Sequence, residues 1–236
     1  PAALLVTAND ASRLYGGSDP LFSATFDSLV AGDTGADLPN LTFSTDALAG
    51  SGVGVYTITP SGITNPNYSI SYNTGTLTID PAPLTITAND QQVLYREPSP
   101  SLDASFSGFV LGESQVDLSG FSLSTSRTTE SDVGDYPISI NLSSNPNYDI
   151  TTFPGNFSVL PQPLTLTIED KSVTYGSTFP SFTTTTSGDQ RLFYDSSGIV
   201  LSSPGTTSLD VGNYPINITG FEDPNYAVTV VPGTLT

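Results

Sequence analysis

The chain has 236 residues with 23 acidic and five basic side chains, and its net charge of −18 repels phosphate backbones and anionic lipid head groups. It contains no His, Cys, Met or Trp, which removes the usual neutral-pH base, the thiol nucleophile and the commonest transition-metal ligands. No apolar run approaches the ~20 residues that span a bilayer. The composition therefore argues against nucleic acid as a partner, against membrane insertion and against an enzyme.

The first predicted element is a strand that opens the chain and recurs twice. Apolar and small polar residues alternate in Leu4 to Ala8, in Leu84 to Ala88 and in Leu164 to Ile168. Alternation with a period of two residues is typical of a half-buried strand. An aspartate stands two residues after each of these runs: Asp10, Asp90 and Asp170. We interpret the aspartates as turn or cap residues, because an active site is not expected to be built three times over.

Shorter alternating segments follow the opening strand in each repeat. In the second repeat they are Phe106 to Val110, Phe121 to Thr125, Tyr136 to Leu142, Tyr148 to Thr152 and Phe157 to Leu160. No stretch shows sustained apolar spacing at 3.6 residues. The pattern predicts six or seven strands per repeat with turns between them, as in a β-sandwich, and almost no helix.

A recurring tyrosine segment gives the most specific structural expectation. Val53 to Ile58 returns as Val133 to Ile138 and as Val211 to Ile216. It resembles the strand-F region of immunoglobulin-like domains, where a tyrosine hydroxyl bonds back to the backbone two residues before a core cysteine. Isoleucine fills the cysteine position in all three copies: Ile58, Ile138 and Ile216. We therefore expect an Ig-like sandwich with an aliphatic core and no disulfide.

A second recurring segment is a loop that ends in tyrosine. It runs from Asn65 to Tyr68, from Asn145 to Tyr148 and from Asp223 to Tyr226, and each copy contains Pro-Asn before the tyrosine. We predict that the proline fixes a turn that places the tyrosine on the sandwich.

The repeat length sets the domain organisation. Tyr15, Tyr95 and Tyr175 are 80 residues apart, which is the size of a whole domain, and the predicted domains are residues 1–81, 82–161 and 162–236. The connections Asp80 to Pro83 and Leu160 to Pro163 each hold two prolines, which favours an extended link. The prediction is an all-β protein of three tandem Ig-like β-sandwich domains in an extended array, about 100 Å long. Both ends fall at repeat edges, so we expect a segment of a longer protein.

These motifs together resemble a known family. Tyr15-Gly16-Gly17 and Tyr175-Gly176-Ser177, with the loops and tyrosine segments described above, are similar to the repeats called MBG domains of the YGX type. The resemblance covers all three repeats and implies an extracellular Ig-like building block of large bacterial surface or secreted proteins, commonly adhesins. It implies no catalytic or ligand residue. The second repeat departs from the motif with Arg96. If the glycine normally takes a left-handed conformation, either Arg96 adopts it at some cost or the turn differs.

Two candidate sites remain. Calcium is the one cofactor worth considering, with Asp80 at the first joint and Asp90 in the nearby turn as candidate metal ligands. Arg191, Phe193 and Tyr194 lie where the third repeat departs from the pattern, and they are the candidate ligand-binding residues for a glycan or host protein.

The predicted function is that of a stalk or spacer in a bacterial cell-surface or secreted adhesin, projecting a binding module that lies outside this segment. Two alternatives stay open: a ligand-binding module centred on the third repeat, and an array whose joints are rigidified by calcium. The expected partners are neighbouring repeats of the same chain and a possible host or cell-surface ligand. We expect a monomer located outside the cell.

Overall fold

The computed structural model of the chain describes residues 1–30, 32–187, 199–204, 210–221 and 223–236. Within these residues the fold is all-β, as predicted, and its only helical elements are two 3-10 turns, Gly35–Asp37 and Gln115–Asp117. No helix in the described ranges is long and apolar enough to cross a bilayer.

The first and second repeats each form seven strands at matching positions. In the first repeat the strands are β1 Ala2–Ala8, β2 Ala11–Leu14, β3 Ala24–Asp27, β4 Thr42–Thr45, β5 Gly54–Ser61, β6 Tyr68–Asn73 and β7 Gly75–Asp80. In the second they are β8 Ala82–Ala88, β9 Gln91–Leu94, β10 Ala104–Ser107, β11 Ser122–Thr125, β12 Gly134–Asn141, β13 Tyr148–Phe153 and β14 Gly155–Leu160. The described part of the third repeat has β15 Gln162–Ile168, β16 Thr184–Ser187, β17 Val200–Ser202, β18 Tyr214–Thr219, β19 Tyr226–Val231 and β20 Gly233–Leu235.

Each of the first two repeats divides its strands between a three-stranded and a four-stranded sheet. The sheet orders are β3-β1-β6 and β2-β7-β5-β4 in the first repeat, and β10-β8-β13 and β11-β12-β14-β9 in the second. The opening strand is the centre of the three-stranded sheet, where β1 pairs antiparallel with β3 and parallel with β6. The short strand β2 then pairs parallel with the closing strand β7, so the start and end of a repeat are hydrogen-bonded to each other.

The chain folds into two compact units whose boundaries do not follow the repeats. The first unit comprises Pro1–Ala88, Asp103–Leu123 and Ile140–Pro154, and the second comprises Asn89–Leu102, Ser124–Ser139 and Gly155–Thr236. The last strand of the first repeat and the first strand of the second therefore lie in the same unit, separated only by Pro81. In the same way Pro161 alone separates β14 from β15 inside the second unit.

The first unit contains two clusters of buried side chains. One cluster, built around Leu4, Val6 and Tyr68, lies on the three-stranded sheet of the first repeat. The other joins residues of the first repeat, such as Leu77, with residues of the second, such as Leu84. A continuous apolar core therefore passes from one repeat into the next. The second unit buries a cluster around Ile168, Ile216 and Leu235.

The predicted tyrosine and isoleucine contacts are confirmed in all three repeats. The hydroxyl groups of Tyr56, Tyr136 and Tyr214 donate to the backbone oxygens four residues earlier, at 2.9, 2.8 and 3.0 Å. The isoleucines at the cysteine position are fully buried: Ile58, Ile138 and Ile216.

Candidate functional site at the repeat joints

The joints between repeats are built from the recurring motifs. We call the segments Asn65–Tyr68, Asn145–Tyr148 and Asp223–Tyr226 the asparagine loops, and the pairs Gly52–Val53, Asp132–Val133 and Asp210–Val211 the receiving turns. The first joint lies within the first compact unit and the second joint within the second.

Each asparagine loop is held in one shape by its own first residue. In the first loop the Asn65 side-chain oxygen accepts the Asn67 N–H at 2.9 Å, and its backbone oxygen accepts the Tyr68 N–H at 3.1 Å. The second and third loops repeat both bonds with Asn145 and Asp223, at 2.9 to 3.2 Å. Side chains that bond the backbone two residues on are typical of Asn and Asp in turns. The predicted turn is confirmed, and it presents the second asparagine outward.

The presented asparagine bonds to the preceding repeat at both joints. At the first joint the Asn147 side-chain oxygen accepts the Val53 N–H at 3.0 Å. At the second joint the Asn225 side-chain oxygen accepts the Val133 N–H at 2.7 Å, and its amide nitrogen donates to the Asp132 carboxylate at 3.0 Å. The asparagine loop of one repeat therefore docks on the receiving turn of the repeat before it.

A pair of tyrosines forms the apolar half of each joint. Tyr15 meets Tyr148 edge-on, with ring centroids 5.6 Å apart, and Tyr95 meets Tyr226 in the same way at 5.7 Å. All four rings are less than 10% exposed. Edge-to-face aromatic pairs contribute about 0.5–1.5 kcal/mol beyond the area that they bury. The tyrosine of the Tyr-Gly motif and the tyrosine of the asparagine loop are thus partners across the joint.

A carboxylate links the two tyrosines of the first joint. Glu113 accepts the Tyr15 hydroxyl at 2.7 Å with one oxygen and the Tyr148 hydroxyl with the other. Burial and the Glu113 hydrogen bond raise the pKa of Tyr148 to about 12, and the same hydrogen bond and burial raise the pKa of Tyr15. In the first repeat the corresponding carboxylate, Asp33, accepts the hydroxyl of its own loop tyrosine, Tyr68, at 2.6 Å.

The second joint has an arginine where the first has a glycine. Arg96 adopts a φ of +64°, so of the two alternatives the left-handed conformation is the one that the structure shows. Its guanidinium lies 5.4 Å from the centroid of the Tyr95 ring and 3.5 Å from the Glu130 carboxylate. The guanidinium of Arg96 therefore stacks on the ring of Tyr95, which in turn contacts Tyr226. Glycine would be unstrained at this left-handed position, so the second joint combines a strained backbone with a cation–π contact.

The candidate metal ligands have other roles in the structure. Asp90 uses its carboxylate to accept the Asn156 N–H at 2.7 Å, and Asp10 and Asp170 make the same bond to Thr76 and Thr234. The Asp80 side chain is exposed, while its backbone oxygen accepts the Tyr15 N–H at 2.8 Å. Among the described residues, no group of three or more acidic side chains is placed to hold a metal ion. The calcium hypothesis stays a prediction without a described coordination site.

The candidate ligand-binding residues Arg191, Phe193 and Tyr194 lie outside the described residues. The binding module predicted for the third repeat therefore stays a prediction. The joint residues Asn147 and Asn225, in contrast, were not predicted as functional, although their recurrence in the sequence was visible.

Comparison with known proteins agrees with the repeat pattern. The family model described as MBG domain (YGX type) matches residues 4–78, 84–158 and 164–236. A comparison with curated proteins found no match.

Proposed function

The chain belongs to the MBG domain family of the YGX type, and we propose that its three copies form a stiff stalk segment that holds a distal binding module away from a bacterial surface. MBG repeats are a non-catalytic family associated with surface proteins. Within that class, the proposal assigns this segment the role of a spacer in an adhesin, outside the cell, with neighbouring repeats as its partners.

The observation that carries the proposal is that both joints are closed by the same two contacts. Each has an asparagine bonded to a valine N–H and an edge-on tyrosine pair, and each is crossed by a single proline between two strands. A spacer needs joints of reproducible geometry, whereas a flexible tether needs none. One hydrogen bond at about 0.5–1.5 kcal/mol and one aromatic pair of similar value favour the closed joint by a few kcal/mol. A free-energy difference of about 2.8 kcal/mol between the open and the closed joint corresponds to a hundredfold excess of the closed form.

The surface charge is consistent with this role. The net charge of −18 keeps the chain soluble and opposes association with other acidic chains, so we expect a monomer.

Small-angle X-ray scattering tests the proposal. We expect a maximum dimension on the order of 100 Å, in millimolar calcium and in chelator alike, from three domains of about 30 Å each. Extension that required calcium would replace the proposal with calcium-rigidified joints. A compact particle under both conditions would contradict a stalk of either kind.

Asparagine variants supply the matched control for the same measurement. Asn147→Ala with Asn225→Ala removes the polar bond from both joints, and we expect a broader distribution of dimensions because the joints open more often. Asn67→Ala changes the same residue of the first repeat, where the side chain is exposed, and we expect the wild-type scattering curve. Equal curves for all three proteins would show that the asparagines do not hold the joints.

A further inference from the structure

Two buried arginines stand at different sequence positions in the first and second repeats. Arg13 lies on β2 and is 7% exposed, and Arg127 follows β11 and is 5% exposed. Apolar residues hold the matching positions, with Val93 in the place of Arg13 and Ala47 in the place of Arg127. A buried guanidinium is costly unless its donors are hydrogen-bonded, and both arginines meet that condition by bonding to corresponding segments of their repeats.

In the first repeat the guanidinium of Arg13 joins two segments that are distant in sequence. Its Nε donates to the Asp19 carboxylate at 2.7 Å, and its Nη2 donates to the Leu48 backbone oxygen at 2.9 Å. Asp19 ends the loop of residues 15–19, which begins with the tyrosine of the joint. The same Leu48 oxygen accepts the Ser51 N–H at 3.0 Å, in the turn that leads directly into the receiving turn. Arg13 therefore links the loop that carries the joint tyrosine to the receiving turn.

In the second repeat Arg127 makes the same connection from the opposite side. It stands immediately before the turn that leads into the receiving turn. Its guanidinium donates to the Ser99 hydroxyl at 2.6 Å and to the Glu97 backbone oxygen, both in the loop of residues 95–99. Ser99 occupies the position of Asp19 in the first repeat. The guanidinium therefore connects the same two segments in both repeats, although it is supplied by one segment in the first and by the other in the second.

The two repeats compensate the buried charge in different ways. Asp19 gives Arg13 a carboxylate partner, whereas the guanidinium carbon of Arg127 lies 5.2 Å from the centroid of the Phe157 ring. Phe157 is fully buried and stands in the place of Leu77 of the first repeat. A desolvated cation over an aromatic ring is stabilised by the negative face of that ring. The surroundings of the guanidinium thus differ between the repeats, while the segments that it connects are the same.

We propose that Arg13 and Arg127 are positioning residues of the joints, and that each fixes the receiving turn of its repeat relative to the tyrosine loop beside it. At the first joint the next repeat contacts both segments at once, through Asn147 on the receiving turn and Tyr148 on Tyr15. Both contacts form together only when the spacing between the two segments is right. The arginine acts on the joint through the segments that it connects.

This role deepens the proposed function, because it rests on joints that close with a fixed geometry. The scattering experiment measures the length of the chain, whereas the exchange experiment that follows measures the closure of each joint. A stalk can therefore be contradicted while the arginines keep their role, and the arginines can lose their role while the stalk stands.

Hydrogen exchange of single backbone amides, followed by NMR, tests the role of Arg13. The Val53 N–H is bonded to Asn147 when the first joint is closed, and the Thr76 N–H is bonded to Asp10 at the far end of β7. In Arg13→Val we expect exchange at Val53 to become about tenfold faster, the equivalent of one hydrogen bond, while Thr76 keeps its rate. An unchanged rate at Val53 would overturn the proposal. Equal acceleration at both amides would overturn it as well, because it would show a general loss of stability.

A relocated arginine provides the control for folding. Arg13→Val combined with Ala47→Arg gives the first repeat the arrangement of the second, since the N–H groups of Ala47 and Arg127 bond in the same way to the threonine hydroxyl two residues earlier. We expect the double variant to return Val53 to the wild-type exchange rate, because the guanidinium reaches the same loop from the other side. Failure to restore that rate would contradict the proposal, also where Arg13→Val alone does not fold.

Arg127→Ala is the matched variant for the second joint. We expect exchange at Val133, whose N–H is bonded to Asn225, to become about tenfold faster, while Val53 at the first joint keeps its rate. Acceleration at both valines, or at neither, would show that Arg127 does not act on the joint beside it and would overturn the assignment.

Discussion

Gly16 and Gly176 occupy the same position of the motif and share a left-handed backbone, with φ values of +73° and +82°. Their surroundings differ. A Cβ added to Gly16 would lie 2.6 Å from a methyl carbon of Val110 in the second repeat, while a Cβ on Gly176 would meet nothing within 4 Å. Glycine at position 16 therefore allows both the left-handed backbone of its own turn and the close approach of the next repeat.

These two glycines form a matched pair of variants. Gly176→Ala should cost about 1–2 kcal/mol, the price of a left-handed non-glycine residue. Gly16→Ala introduces the same backbone strain together with the overlap with Val110. We therefore expect its free energy of unfolding to fall by about 1–3 kcal/mol more than that of Gly176→Ala. Urea denaturation followed by circular dichroism measures both. An equal loss in the two variants would mean that Val110 yields without cost and that the contact across the joint is loose.

The tyrosines of the first joint give stability a dependence on alkaline pH. The folded-state pKa of Tyr148, about 12, lies above the unfolded value of about 10, so the folded chain holds its proton where the unfolded chain has lost it. Stability is therefore complete below pH 10 and falls as the pH rises to 12, by about 2–3 kcal/mol from this group. Tyr15 adds to the loss in the same direction.

Unfolding of the wild type and of Tyr148→Phe at a series of pH values tests this dependence. At neutral pH the variant should be less stable by about 1–3 kcal/mol, because Glu113 and the Val110 N–H lose a buried partner. Between pH 10 and 12 the variant should lose less stability than the wild type. Parallel curves in that range would show that Tyr148 does not hold its proton in the folded chain.

At the scale of elements, the turn after each opening strand ties that strand to the end of its repeat. Asp90 stands between β8 and β9 and accepts the N–H of Asn156 at the start of β14, a bond that closes a loop of more than 60 residues. The Asp10 carboxylate has a lowered pKa because it accepts the hydrogen bonds of Thr76 in the same way. These aspartates act as caps in all three repeats.

Variants of Asp90 and Asp80 distinguish a role as turn caps from a role as calcium ligands. Asp90→Ala should lower stability by about 1 kcal/mol, the usual cost of a lost cap, whereas Asp80→Ala should have little effect because its side chain is exposed. Both results should be the same with millimolar calcium and with chelator. A loss that appeared in both variants and only with calcium would show instead that the two carboxylates share an ion.

Local patterns in the sequence were sufficient for most of the strands and for the tyrosine contact inside each repeat. Alternation located β1, β8 and β15, and the tyrosine segment predicted the back-bond of Tyr136. The short strand β9 was missed, since Gln91–Leu94 has no alternation of its own and is defined by pairing with β14. Likewise, the parallel pairing of β1 with β6 joins residues more than 60 positions apart, which no local pattern encodes.

The contacts across the joints could not be predicted from the sequence, for a different reason. Asn147 and Tyr148 recur once per repeat, and so would any residue that serves only its own domain. Recurrence alone does not tell whether a side chain contacts its own repeat or the one before it. The distinction needs three-dimensional contacts, such as Asn147 with Val53 and Tyr148 with Tyr15.

At the scale of the whole molecule, 23 acidic side chains repel one another in the folded state. Screening by salt weakens this repulsion, so we expect the melting temperature to rise with NaCl. For a chain of this size about 1 kcal/mol corresponds to about 2–4 °C. The rise in melting temperature should be the same with NaCl, KCl, MgCl2 and CaCl2 when they are compared at matched ionic strength. A larger rise with CaCl2 than with MgCl2 would indicate specific calcium binding rather than screening.

The parallel pairing of the second and last strands of a repeat has a mechanical consequence. When the two ends of a repeat are pulled apart, β2 and β7 slide along each other, and the bonds from Ala11–Leu14 to Leu77–Asp80 bear the load together instead of opening one by one. The second repeat has the same arrangement in β9 and β14. In the third repeat the N–H groups of Lys171 and Val173 donate to the backbone oxygens of Thr234 and Thr236, which begins the same parallel pairing. Under tension, the first and second repeats should therefore unfold only when all the bonds of this pairing break together.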